Sequence, residues 1–174
     1  MADYQSLLDA VALVIGGTAP DLTNRPHFYS GSEVGDGTEM GHGTALPLKG
    51  CWSTYPAVIE DSPYAIVMPD SATISGPEKS DVFVLGEEWN VEVLRLQFYL
   101  ALYDHVTAWP LIVPYRDLIP AVFRSHMQLN ATPNVITAMP RSLRAVVLEY
   151  ATTMYVGWEC MLHVQRVIQP TYSA

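Results

Sequence analysis

From Met154 the chain alternates. Met154, Val156, Trp158, Cys160, Leu162 and Val164 take the even positions, and Tyr155, Gly157, Glu159, Met161, His163 and Gln165 the odd ones. A period of two, with one apolar and one mixed face, predicts a half-buried β-strand. Over about fourteen residues at roughly 3.4 Å each it spans more than about 40 Å, about twice an ordinary strand. Such a strand overhangs the core of a small domain. Extra length of this kind serves assembly, which points to a building block rather than a catalyst.

A second strand of the same kind is predicted from Asn90 to Tyr103. Leu94, Leu96, Phe98, Leu100 and Leu102 face one way, and Arg95, Gln97, Tyr99 and Tyr103 the other. Shorter strands are expected at Tyr55-Pro56-Ala57-Val58-Ile59-Glu60, Ala65–Met68 (closed by Pro69), Val82–Leu85, Val135–Met139 and Leu143–Tyr150. A turn-rich segment, Ser75-Gly76-Pro77, separates two of them.

Two helices are predicted. The first begins after Asp3 as N-cap, repeats Tyr4, Leu7, Leu8, Val11, Ala12 and Ile15 at helical spacing, and stops at Gly16-Gly17. The second covers about Tyr115–Leu129, with Leu118, Ile119, Val122, Phe123 and Met127 on one side. Pro120 lies inside it, so a start after Tyr115 or a kink is expected there, and Pro110 and Pro114 bracket the preceding connection. Residues 18–50 lack periodicity and are rich in glycine between Ser30 and Gly43, which predicts a long arm or loop that contacts a neighbouring subunit or stays flexible. The expected fold class is α+β: a mainly antiparallel sheet with two helices packed on one face, plus the extended arm, in a single domain spanning residues 1–174. Phe98, Trp158 and Leu162 are expected in the core on the helix-covered face.

Apolar residues make up 49% of the chain, ample for a core. No cationic leader with an apolar stretch is present, and the run Leu7–Ile15 is too short to cross a bilayer, so a soluble protein with no membrane partner is expected. Cys51 and Cys160 form no CxxC pair and read as free thiols in a reducing compartment. Charge is uneven: residues 1–92 hold fourteen acids and three bases, net −11, while residues 93–174 hold four acids and six bases, net +2. That balance argues against direct nucleic-acid binding, which needs clustered basic surface. It leaves two readings of the acids: a lining that repels DNA, or charge that keeps a sticky subunit soluble.

The chain carries few of the motifs that chemistry needs. The histidines have no metal-ligand spacing, and the Gly35-Asp36-Gly37 and Gly41-His42-Gly43 turns lack the G-K-[ST] of a phosphate cradle. No nucleophile elbow occurs, and Glu87-Glu88, being adjacent, point to opposite faces of a strand. Asn130-Ala131-Thr132 fits a glycosylation sequon without a secretory signal to use it. No catalytic residue, metal site or cofactor is predicted. The ten tyrosines and four tryptophans carry more information. Phe28, Tyr29, Trp52, Tyr55, Trp89, Tyr99 and Tyr103 are the candidate subunit or partner contacts, since aromatic residues are enriched where proteins bury surface against partners; ordinary strand packing is the alternative.

In layout the chain resembles the tail terminator family of long-tailed bacteriophages. The features that carry the resemblance are the helix Tyr4–Ile15, the extended segment after it, the proline-led strand Tyr55–Glu60, the long strand Val91–Tyr103, the helix Asp117–Leu129 and the closing strand Tyr155-Val156-Gly157-Trp158 through Val167, in that order. The match is one of pattern, without a specific motif, and the chain departs from it in its longer arm (18–50) and an added segment (69–81). The resemblance implies a structural virion protein, assembled in the host cytoplasm into a homo-oligomeric ring, commonly six-fold. That ring sits at the head-proximal end of the tail tube, stops tube polymerisation and receives the head connector, while DNA passes through the lumen. It supplies no catalytic residues. Another head–tail joining protein (a head-completion or connector-adaptor subunit) is the nearest alternative, and a cellular α+β ligand-binding domain or enzyme the competing class.

Overall fold

The computed structural model describes residues 4–16, 48, 50–56, 62–75, 88–103 and 108–168. Among these residues five strands form one mixed sheet. In chain order the elements are α1 (Tyr4–Gly16), β1 (Cys51–Trp52), β2 (Tyr64–Ser75), β3 (Glu88–Leu102), α2 (Ala108–Ile112), α3 (Tyr115–Ser125), β4 (Val135–Tyr150) and β5 (Thr153–Ile168). The sheet order is β1-β2-β3-β5-β4; only β1 and β2 run parallel, and every other neighbouring pair is antiparallel. The chain is thus α+β, and the closing strand is as long as its alternation predicts.

Register explains the core. Ala65, Val67, Leu94, Leu96, Phe98, Ala138, Val156, Cys160, Leu162 and Val164 join Leu7, Val11 and Ile15 of α1, Ala108 and Ile112 of α2, and Tyr115, Leu118, Ile119, Val122 and Phe123 of α3 in one buried cluster. One face of the sheet therefore carries the helices: α1 lies against β1 and β2, α2 against β3 and β5, and α3 against β4. Phe98 and Leu162 are fully buried there, while Trp158 is half-buried at the cluster's edge and donates its indole N–H to the Ile112 carbonyl at 2.7 Å.

Several expectations are corrected by β-bulges, each of which inserts one residue and reverses the facing of those that follow. Between Tyr99 and Ala101 the β3 register shifts, so Ala101 turns to the core and Leu102, expected with the apolar set, is 62% exposed. Pro69 does not close β2. The strand runs on to Ser75, with a bulge between Pro69 and Ser71 past the short span paired by β1, where a missing N–H costs no ladder bond. The two strands expected in 135–150 are one strand, β4, with Pro140 at a second bulge on the sheet edge.

The helices differ from expectation as well. Pro110 lies within the short helix α2 instead of a plain connection, and α3 begins at Tyr115 despite Pro120. The carbonyl that a donor at 120 would serve belongs to Arg116, an exposed residue, so the missing bond falls on the solvent side of the helix. Because α3 ends at Ser125, Met127 falls outside it and is exposed. The two-residue strand β1 was not expected; Tyr55 and Pro56 lie outside any strand. Residues 57–60, the strand expected at Val82–Leu85, the N-cap Asp3, Gly76-Pro77 and most of the arm (18–47 and 49) lie outside the described residues.

Candidate interaction surface opposite the described helices

The odd-numbered residues of β5, and those of β3 up to the bulge after Tyr99, face away from the described helices. Cross-strand rows on this face read Tyr64–Tyr99–Gly157–Val146, then Ile66–Gln97–Glu159–Arg144, then Met68–Arg95–Met161–Ser142. Directly opposed side chains on one face of a sheet interact, so each row is a unit of packing. The first row is aromatic. Tyr64, Ile66, Tyr99, Leu148 and Tyr155 form a second buried cluster, flanked by Met68, Val146 and Tyr150, and no helix among the described residues contributes to it.

Tyr99 is the hub. Its ring meets Tyr150 edge-on at 6.0 Å and Tyr155 edge-on at 5.6 Å, and Tyr150 in turn stacks on Tyr55 at 6.2 Å. Edge-to-face and offset pairs of this kind are favoured by the ring quadrupole. Beside Tyr99, Gly157 lets the β3 main chain at Phe98 approach β5 closely. Burial pushes the Tyr99 phenol up to about 12, helped by neighbouring Tyr55, Tyr150, Glu159 and Tyr155.

A polar strip borders the rings. The Tyr99 hydroxyl donates to Gln97 Oε1 at 3.0 Å, Gln97 Nε2 donates to Glu159 Oε2 at 3.1 Å, and Arg144 Nε donates to Glu159 Oε1 at 2.9 Å. Burial works against the charged form of Glu159. The hydrogen bonds from Gln97 and Arg144, with the charges of Arg144 and Arg95, outweigh it and hold the carboxyl below its usual range. One row further, Arg95 pairs with Asp70.

At the β4–β5 hairpin end this face runs into an apolar rim. Leu102 lies opposite Tyr155, Tyr103 N–H donates to the Met154 carbonyl, and Leu102, Tyr103, Met154 and Tyr55 are all exposed. Leu102 lies on this side of the sheet and Met154 on the helix-bearing one, so the exposed apolar residues line the end of the sheet, where a partner would find surface to bury.

The predicted contact residues distribute as follows. Trp52, Tyr55 and Tyr103 are exposed, at 48%, 59% and 36%. Tyr99, only 2% exposed, organises the cluster instead of offering a free ring. Trp89 is in β3 opposite Ser75 and Val167, and Phe28 and Tyr29 lie outside the described residues. Tyr64, Tyr150 and Tyr155 belong to the surface and were not singled out from the sequence. The available signal was phase: Val146, Leu148 and Tyr150 repeat every second residue, as do Tyr155 and Gly157.

Cys51 and Cys160 are free thiols, both pushed up by burial, Cys160 to about 12, which leaves them protonated and poorly nucleophilic. Among the described residues no group of three or more His, Cys, Asp or Glu side chains is placed to hold a metal ion, and no helix is long and apolar enough to cross a membrane. Neither the protein-family profiles nor the characterised proteins compared with the chain match it.

Proposed function

We propose that the protein is a non-enzymatic, ring-forming adaptor of the phage tail terminator kind. In this reading it closes the head-proximal end of a tail tube, stops polymerisation and joins the tail to the head connector, with DNA passing through the lumen unbound. The observation that carries the reading is the shape of the sheet. Strands of 15 and 16 residues end in an exposed rim of Leu102, Tyr103 and Met154, with Tyr55 stacked beside it. A lone domain gains nothing from such an overhang, whereas a ring subunit must offer two different complementary patches. The layout proposed for the subunit is an antiparallel sheet with helices on one face and an arm over residues 18–50 that reaches a neighbour.

Deleting the gene from its phage tests the proposal. Filled heads beside tails of uncontrolled length are the expected result. Unjoined tails of normal length would favour a connector adaptor instead, and normal joined virions would refute both. A purified protein that stayed monomeric and bound a metabolite tightly would restore the enzyme or ligand-binding class.

A further inference from the structure

The sheet has two edges, and they differ. At one end, β4 presents its outer backbone. The turn after α3 covers only its start, where Ala138 N–H donates to the Met127 carbonyl at 2.7 Å; from Met139 to Tyr150 the outer edge has no partner among the described residues. At the other end, β1 pairs only with Ala65 and Ile66, and β2 from Val67 to Ser75 is open among the described residues. Pro140 and its bulge blunt the beginning of β4, and Pro69 and its bulge interrupt β2. Beyond these interruptions Leu143–Tyr150 and Ser71–Ser75 continue without proline or bulge. Unpaired strand edges are templates for another strand.

Charge separates the two ends. Exposed Arg116, Arg124, Arg141 and Arg144 lie on α3 and β4 against Asp117 and Glu149, a net of +2. Over α1, β1 and β2 the described charges are Asp9 and Asp70, a net of −2. Arg144 and Asp70 are already engaged, by Glu159 and Arg95, yet without them the ends still differ in sign, +1 against −1.

Direction fits as well. β2 is antiparallel to β3, β3 to β5 and β5 to β4, so β4 runs antiparallel to β2. A second copy rotated about an axis along the strands keeps its strand directions. Its β2 edge then meets the first copy's β4 edge antiparallel, with opposite charge. Two β4 edges meeting about a two-fold axis would instead bring arginine-bearing edges together and close a dimer.

We infer that the outer edge of β4, over Leu143–Tyr150, pairs antiparallel with the outer edge of β2, over Ser71–Ser75, of the next copy of this chain, joining subunits head to tail through one continuous sheet. This inference rests on the ring reading above and specifies how the ring is sewn.

Paired cysteines test it in the full chain. By register Ala72, Ala145, Val147 and Glu149 lie on the helix-bearing side, and all four are exposed. Ala72→Cys is combined in turn with Ala145→Cys, Val147→Cys and Glu149→Cys to scan register, since a disulfide forms only where Cα atoms approach within about 4.4–6.8 Å. Mild oxidation is followed on non-reducing gels, with native mass spectrometry of each variant and of the unsubstituted protein. In at least one double variant the monomer band should be lost to a ladder ending at the ring mass, while the single variants and the unsubstituted chain stay uncrosslinked. Rings without a ladder in any register would overturn the edge pairing and leave the ring reading standing. Monomers throughout would remove both. A crosslinked dimer from Val147→Cys alone would show β4 meeting β4 and overturn the inference.

Discussion

Gly157 lies under the main chain of Phe98 so closely that a Cβ at position 157 would come within 1.7 Å of the Phe98 carbonyl oxygen. The contact sits beside the β3 bulge, and Gly157 is the partner of Tyr99, the hub of the aromatic cluster. Backbone cannot move aside as a flexible side chain can. Gly157→Ala is therefore expected to force β3 and β5 apart and to cost about 3 kcal/mol, the upper end of overpacking. Chemical denaturation measures it, and a loss under about 1 kcal/mol would show that the strands relax freely.

Glu159 ties stability to acid. Its folded pKa is depressed, so its contribution is present above the ordinary carboxyl value of 4.5 and is lost as pH falls through the folded value. Arg144 is largely exposed, which limits the pair to about 1 kcal/mol or less. Glu159→Gln should be slightly less stable at neutral pH and should lose less on acidification below about pH 4.5. Denaturation midpoints against pH for both proteins decide this, and parallel curves would contradict it.

At alkaline pH the sign reverses. The Tyr99 phenol is raised from 10.0 to about 12, so its contribution is intact below pH 10 and is lost as pH rises towards 12. Tyr99→Phe removes that loss and gives a shallower alkaline decline. At neutral pH it costs about 1 kcal/mol, because Gln97 Oε1 loses its donor. An unchanged alkaline slope in thermal melts would place the sensitivity in other tyrosines.

The rim gives a prediction that separates folding from assembly. Leu102 is 62% exposed, so Leu102→Glu should shift subunit stability by no more than about 0.5 kcal/mol. Burying that carboxylate at a joint would be costly, and ring formation or tail joining should fall sharply. Rings that form as readily as before would exclude the rim from the contact.

Much of this architecture was legible in alternation. β5 and most of β3 announce themselves because a half-buried strand repeats every second residue, and α1 because its apolar residues recur at helical spacing. The proline readings failed for a reason local sequence does not carry. The strand end expected at Pro69 and the break expected between Met139 and Leu143, which holds Pro140, are both bulges on strands whose outer side is unpaired among the described residues, and only strand order reveals which prolines cost no hydrogen bond. The bulge after Tyr99 was equally silent: one inserted residue sends Leu102 to solvent without altering the composition around it.

The candidate surface divides in the same way. Exposed Tyr55 and Tyr103 were singled out as aromatics, but Tyr64, Tyr99, Tyr150 and Tyr155 lie on four different strands and meet only through cross-strand register. Alternation along one strand says which residues share a face; it says nothing of which residues on other strands stand opposite. The sequence alone thus determined the long strands β3 and β5, the first helix and the α+β class, because these follow from local periodicity. Which tyrosines form a cluster, which edges stay open and which leucine faces solvent were decided by the tertiary structure, because each depends on pairing between segments far apart in the chain.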